Sequence, residues 1–100
     1  MYRLRLTLEF QDWLDRLTDR RGQARIAARL RRVELGNLGD WTPVGERISE
    51  LRVDAGPGYR LYYTRRGLVE IVMLTGGDKS TQDRDIRRAR RILRELEEGS

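Results

Sequence analysis

Glu50-Leu51-Arg52-Val53-Asp54-Ala55-Gly56-Pro57-Gly58-Tyr59-Arg60-Leu61-Tyr62-Tyr63-Thr64 reads as two strands around a turn. Leu51 and Val53 alternate with Glu50, Arg52 and Asp54, and Tyr59, Leu61 and Tyr63 alternate with Arg60, Tyr62 and Thr64. Ala55-Gly56-Pro57-Gly58 between them has turn chemistry. Arg66-Gly67 is a second tight turn, and the nearly continuous apolar run from Leu68 to Leu74 suggests a central strand covered on both faces. These three strands form an antiparallel meander. Side chains alternate with period 2, so if Leu51, Val53, Tyr59, Leu61 and Tyr63 face the core, Glu50, Arg52, Arg60 and Tyr62 share the opposite face.

Outward from the meander the pattern turns helical. Tyr2, Leu4 and Leu6 alternate with Arg3 and Arg5 as a short strand, and Thr7 can cap a helix carrying Glu9 in its first turn. Phe10, Trp13, Leu14 and Leu17 form a helical stripe with Trp13 in the core, broken at Asp19–Gly22. A second helix runs to about Leu35 with Ile26, Ala27, Leu30 and Val33 on its buried side, giving an antiparallel helical hairpin. Gly36 to Asp40 ends it, and Trp41, Pro43 and Gly45 belong to a loop. After the meander, Gly76-Gly77-Asp78-Lys79 exits the last strand, as a backbone turn or a close approach to phosphate. Ser80 and Asp83 resemble a capping box, and a last helix runs to about Glu97. Ile86, Ala89, Leu93 and Leu96 line one side of that helix, and Arg84, Arg87, Arg88, Arg90, Arg91 and Arg94 crowd the rest. The expected fold class is α+β in the order β-α-α-β-β-β-α. An antiparallel sheet packs against the N-terminal helical hairpin, with a C-terminal helix, in one domain over residues 1–100.

Composition narrows the chemistry. Of 100 residues 37% are charged and the formal net charge is +5. Lys79 is the sole lysine, so the other cations are arginine, the residue suited to planar contacts with phosphate and carboxylate. Residues 20–35 alone carry Arg20, Arg21, Arg25, Arg29, Arg31 and Arg32 against Glu34, which makes Arg25, Arg29 and Arg32 candidates for RNA or for an acidic partner. The absence of cysteine excludes disulfides and thiolate chemistry and fits a reducing compartment, and the absence of histidine removes the commonest general base and metal ligand. The carboxylates are not clustered at ligand spacing, so no metal and no cofactor is expected. No apolar run reaches the length of a membrane span and Met1 to Phe10 is no secretory signal, so a cytoplasmic protein is expected.

The polar sheet face suits phosphodiester chemistry on RNA. Arg52 and Arg60 can hold a phosphate and stabilise the charge of a pentavalent transition state. Tyr62 can stack on an unpaired base or donate a proton, Glu50 is a candidate base for a ribose 2′-OH, and Lys79 among arginines can serve as acid or base.

Leu35-Gly36-Asn37-Leu38-Gly39-Asp40, Pro43-Val44-Gly45-Glu46, Glu50-Leu51-Arg52-Val53-Asp54, Gly56-Pro57-Gly58-Tyr59-Arg60-Leu61-Tyr62-Tyr63 and Gly76-Gly77-Asp78-Lys79-Ser80-Thr81-Gln82 together resemble the RelE/ParE toxin superfamily. Within it they are most similar to the HigB-like, phage Gp49-related addiction-module killer proteins. The resemblance covers nearly the whole chain. It implies the toxin of a type II toxin–antitoxin system, with a metal-independent, ribosome-dependent mRNA endonuclease as the activity. ParE-like inhibition of DNA gyrase, or a non-catalytic binding module neutralised by an antitoxin, are the alternatives. The implied partners are the ribosome with its mRNA and a cognate helix-turn-helix antitoxin, through which alone the protein would meet operator DNA. Arg60 matches the arginine of the family's Tyr-Arg strand motif, which contacts the scissile phosphate in nuclease members. Arg52 falls on the strand where those members keep basic residues, Lys79 matches a basic position after the last strand, and Tyr62 follows the Tyr-Arg motif. The chain departs from RelE proper in having Glu50 where a basic residue is usual and no tyrosine in its last helix.

Overall fold

The computed structural model describes residues 1–99, so the expected domain end at residue 100 lies outside the described residues. Strand β1 (Arg3–Leu6) leads into helices α1 (Leu8–Arg16) and α2 (Arg20–Glu34). Strands β2 (Trp41–Gly45), β3 (Ile48–Val53), β4 (Tyr59–Arg66) and β5 (Glu70–Asp78) follow, and a 3-10 turn (Lys79–Thr81) opens into α3 (Gln82–Glu98). The fold is α+β, as the periodicity predicts. None of the helices among the described residues is long and apolar enough to cross a membrane.

Local chemistry sets the helix starts. Thr7 Oγ1 accepts from the Phe10 amide at 3.0 Å and its hydroxyl donates to the Leu74 carbonyl at 2.7 Å, so the cap of α1 is pinned to the sheet. Asp19 caps α2 by accepting from the Gly22 amide at 3.0 Å. The expected Ser80–Asp83 capping pair does not form: Asp78 caps the 3-10 turn, its Oδ1 accepting from the Ser80 amide at 2.8 Å, and Thr81 at the start of α3 makes no side-chain cap bond.

The sheet order is β1-β5-β4-β3-β2. The expected meander is there, and β5 is its covered inner strand, between β1 and β4. Three features differ from the sequence reading. The sheet is mixed rather than wholly antiparallel, since β1 pairs with β5 in parallel, Arg3 opposite Glu70 and Leu6 opposite Met73. Residues 41–45, expected as a loop, form edge strand β2, with Trp41 opposite Leu51 and Pro43 opposite Ser49. Proline is tolerated there because an edge strand has one side without ladder partners. Strand β5 starts at Glu70 and not at Leu68, which is left exposed in the turn together with Val69.

Both faces of the sheet are covered. Phe10, Ile26, Leu30 and Val33 from α1 and α2 pack on Leu51, Val53, Tyr59, Leu61, Tyr63, Ile71 and Met73. On the other face Ala89, Ile92 and Leu93 of α3 pack on Ile48, Tyr62, Val72 and Leu74. Ala27, expected on the buried side of α2, is exposed instead. A bulge at Leu74 of β5, opposite the Tyr62–Tyr63 step of β4, resets the alternation of β5. Beyond it, a Cβ on Gly76 would meet the Trp13 ring of α1 at 2.4 Å, and one on Gly77 would meet Asp85 Oδ2 of α3 at 1.9 Å. The glycine pair is therefore neither a turn nor a phosphate loop. It is extended strand that lets a helix press close on each side.

Candidate functional site

Arg52 of β3 and Arg60 of β4 are direct cross-strand partners, Glu50 stands opposite Tyr62, and Arg60 lies opposite Gly77 of β5. The four residues expected on one face do share it, and it is the face on which α3 docks. The start of α3 divides them. Arg52 and Arg60 lie toward the β3–β4 turn, where Arg52 keeps 43% of its side chain exposed and Arg60 is half-buried. Glu50 and Tyr62, only 1% and 0% exposed, lie under the helix.

Burial changes what these two can do. Glu50 accepts from Arg52 Nε at 3.1 Å through Oε2 and from Gln82 Nε2 at 2.8 Å through Oε1. Both carboxylate oxygens are occupied, so Glu50 is a brace joining β3, the Arg52 guanidinium and the first residue of α3, not an open base on a wet face. Tyr62 packs its ring in the α3-side core and does not offer it to an unpaired base. Burial first, then the nearby Glu50 and Asp85 carboxylates, push its phenol well above the ordinary tyrosine range. Its hydroxyl, Arg60 Nε and Thr75 Oγ1 are buried without hydrogen-bond partners.

Lys79 is exposed at the first position of the 3-10 turn. Its amide donates to the Gly58 carbonyl at 2.9 Å, and its aliphatic stem crosses Gly58, whose φ of +83° suits a residue without Cβ. That contact sets Lys79 at the same end of the sheet as Arg52 and Arg60. It opens onto a depression of about 410 Å³ that Arg84 and Arg87 also line. Asp85 is buried behind this entrance, accepting from Thr81 Oγ1 at 2.5 Å with Arg84 Nε at 3.8 Å.

The α2 arginines sit on the other side of the sheet. Arg29 is a clamp: Nη1 donates to the Arg52 carbonyl at 2.6 Å, and Nη2 donates to the Leu38 and Asp40 carbonyls at 2.9 and 2.8 Å. Burial lowers its pKa from the ordinary arginine value. Arg29, expected with Arg25 and Arg32 to meet RNA or an acidic partner, has its guanidinium occupied by backbone carbonyls of the α2–β2 connection and of β3. Arg25 donates to the Asp54 carbonyl at 3.2 Å and stays exposed, and Arg32 is exposed one helical turn beyond Arg29.

The sequence model of the family described as "Phage derived protein Gp49-like (DUF891)" matches residues 12–97, most of the chain. The chain belongs to the Gp49-like family. That family is toxin-like and related to RelE. The match runs from α1 to the penultimate residue of α3 and so takes in Glu50, Arg52, Arg60, Tyr62 and Lys79 of this Gp49-like protein. An uncharacterized protein of Haemophilus influenzae is 45% identical over 93 residues, covering 93% of this chain and 94% of its own length. Sequence reasoning missed Gln82, which bonds α3 of the Gp49-like chain to Glu50 of β3, and Asp85, which holds Thr81 of the 3-10 turn and packs on Gly77 of β5. Asp85 had a signal, one carboxylate at the apolar stripe of a helix otherwise edged by arginine, whereas Gln82 had none.

Proposed function

We propose that this chain is the toxin of a type II toxin–antitoxin pair and that it cuts mRNA on the ribosome with cationic side chains rather than a bound metal. The observation that carries this reading is the cross-strand pair Arg52–Arg60, side by side at the open end of the sheet, with Arg52 braced from below by a buried carboxylate. A guanidinium pair held in place before substrate arrives costs little reorganisation when charge develops on a phosphate.

In the proposed reaction the ribose 2′-oxygen bonds to the adjacent phosphorus and the P–O5′ bond breaks, leaving a 2′,3′-cyclic phosphate and a 5′-hydroxyl. Arg52 and Arg60 neutralise the phosphorane. The Lys79 ammonium delivers a proton to the departing O5′, and the 2′-OH proton passes to solvent. Glu50 positions Arg52, and Tyr62 supports the strand from within the core. Arg25 and Arg32 are cations for ribosomal RNA or for an acidic segment of a helix-turn-helix antitoxin, which alone would carry the toxin to operator DNA. A protein working on ribosomes belongs in the cytoplasm.

Toeprinting on translating ribosomes tests the reading. Purified protein should give cuts in the ribosomal A site, and Arg60→Ala should slow cutting by about 10²–10³-fold without unfolding the protein. Intact mRNA with wild-type protein overturns the proposal. Inhibition of purified gyrase with mRNA untouched would assign it to gyrase instead.

A further inference from the structure

Arg84, Arg87, Arg88 and Arg91 of α3 fall at i, i+3, i+4 and i+7, and all four are exposed. That spacing is one continuous helical stripe. It lies away from the side that Asp85, Ala89, Ile92 and Leu93 bury in the sheet. Neutralisation along it is slight. Among the described residues Arg87 and Arg88 form no ion pair. Arg84 has Asp85 at 3.8 Å and the Asp78 carboxylate nearby, and Arg91 has Glu95 at 3.3 Å on the exposed surface. Like charges three and four residues apart repel and weaken a helix, so this spacing is one that helix stability opposes.

The position of the stripe gives it a use. Arg84 and Arg87 share with Lys79 the depression beside the sheet end that bears Arg52 and Arg60. Farther along, Arg88 and Arg91 reach a crevice that Arg16 also lines, together with Glu9 and Asp12 of α1. These two carboxylates repel an anion at that border, so a bound polyanion keeps to the outward side of α3. The arginines of α2 stand on the helix that covers the opposite face of the sheet, and one of them is spent on backbone carbonyls.

We propose that the α3 stripe Arg84–Arg87–Arg88–Arg91 is a track for the phosphates of single-stranded RNA, leading that strand to Lys79 and the Arg52–Arg60 pair. It rests on the reading of the protein as a ribonuclease and names the surface by which the substrate is held. The partner is RNA rather than an acidic protein segment because the stripe runs straight into the proposed phosphate-binding end.

The test measures binding of a fluorescein-labelled, 2′-O-methylated twenty-nucleotide RNA, which binds without being cut, across a salt series. Arg87→Gln/Arg91→Gln should weaken binding roughly 10- to 30-fold near 0.1 M salt and flatten the log–log salt slope by about 1.4, since each single-strand phosphate contact contributes about 0.7. Arg20→Gln/Arg31→Gln, two exposed arginines of α2 with no role in the proposed site, should change the affinity by less than twofold and leave the slope in place. Equal losses from both pairs, or no loss from the α3 pair with circular dichroism unchanged, overturn the proposal. So does a poly-glutamate peptide that binds the wild type as tightly as the RNA and loses affinity equally in the α3 variant. Cutting in the toeprint assay is scored separately. An α3 pair that leaves RNA affinity intact while wild-type protein still cuts sinks the track and leaves the nuclease reading standing, and absence of cutting by the wild type does the reverse.

Discussion

Tyr62 shows how a residue's surroundings decide its chemistry. Its place on the strand suggested a base-stacking ring, but α3 closes over it and leaves its hydroxyl among Glu50, Asp85 and Arg60 without a partner. A buried hydroxyl that makes no hydrogen bond opposes folding by about 1–3 kcal/mol. Tyr62→Phe should therefore raise the unfolding free energy by about 1 kcal/mol in urea titrations, and cutting in the toeprint assay should persist. A variant that keeps its stability but loses cutting would give the hydroxyl a direct role in the chemistry. The polar alternation that put Arg52 beside Arg60 was legible because it depends only on two strands and their register. The burial of Glu50 and Tyr62 was not, because it depends on where the C-terminal helix comes to rest.

At the scale of elements, the glycine pair of β5 decides how closely α1 and α3 approach the sheet. Gly77→Ala would drive a methyl into the Asp85 carboxylate at 1.9 Å and push the first turn of α3 outward. Overpacking of this kind costs about 1–3 kcal/mol. Because Asp85 is the obstacle, Gly77→Ala/Asp85→Ala should recover part of the loss, and a double-mutant cycle by chemical denaturation reads the coupling. Strictly additive losses would show that the strand, not the carboxylate, resists the methyl. Strands β3, β4 and β5 were readable from alternation and turn glycines. Strand β2 was not, since Trp41-Thr42-Pro43-Val44-Gly45 carries two turn-forming residues, Pro43 and Gly45, and it is a strand only because β3 offers it an edge. The parallel partner of β1 was hidden for the same reason: no local pattern encodes a pairing with a distant strand.

Across the whole molecule the ionisable groups set a pH window. Burial and the hydrogen bond to Asp19 push the Tyr59 phenol up to about 12, and burial also raises Tyr62 and Tyr63. A phenol whose pKa is higher folded than unfolded adds stability that is complete below pH 10 and is lost as pH rises through the folded value. On the acid side, the Gly22 amide and then the Tyr59 hydroxyl hold Asp19 below the usual carboxylate range, and the Ser80 hydroxyl and then its amide do so for Asp78. Their contribution is present above about pH 4 and disappears below it. The melting temperature should therefore be flat between about pH 4 and 10 and fall on both sides, with tyrosinate absorbance at 295 nm appearing together with alkaline unfolding. Asp19→Asn should soften the acid limb, and a melting temperature that climbs as pH drops below 4 would refute this assignment.

The parallel pairing of β1 with β5 also has a consequence in time. The Thr7 hydroxyl and the Leu74 carbonyl that it meets are 67 positions apart. At roughly 5–20 residues per second of synthesis, the opening strand waits roughly 3–13 seconds before its neighbour exists. The side chain that seals Glu50 from the far side, Gln82, emerges later still. A nascent chain thus leaves the brace of Arg52 unsealed until the start of α3 has left the exit tunnel, and on the proposed reading it would meet its own ribosome unprepared.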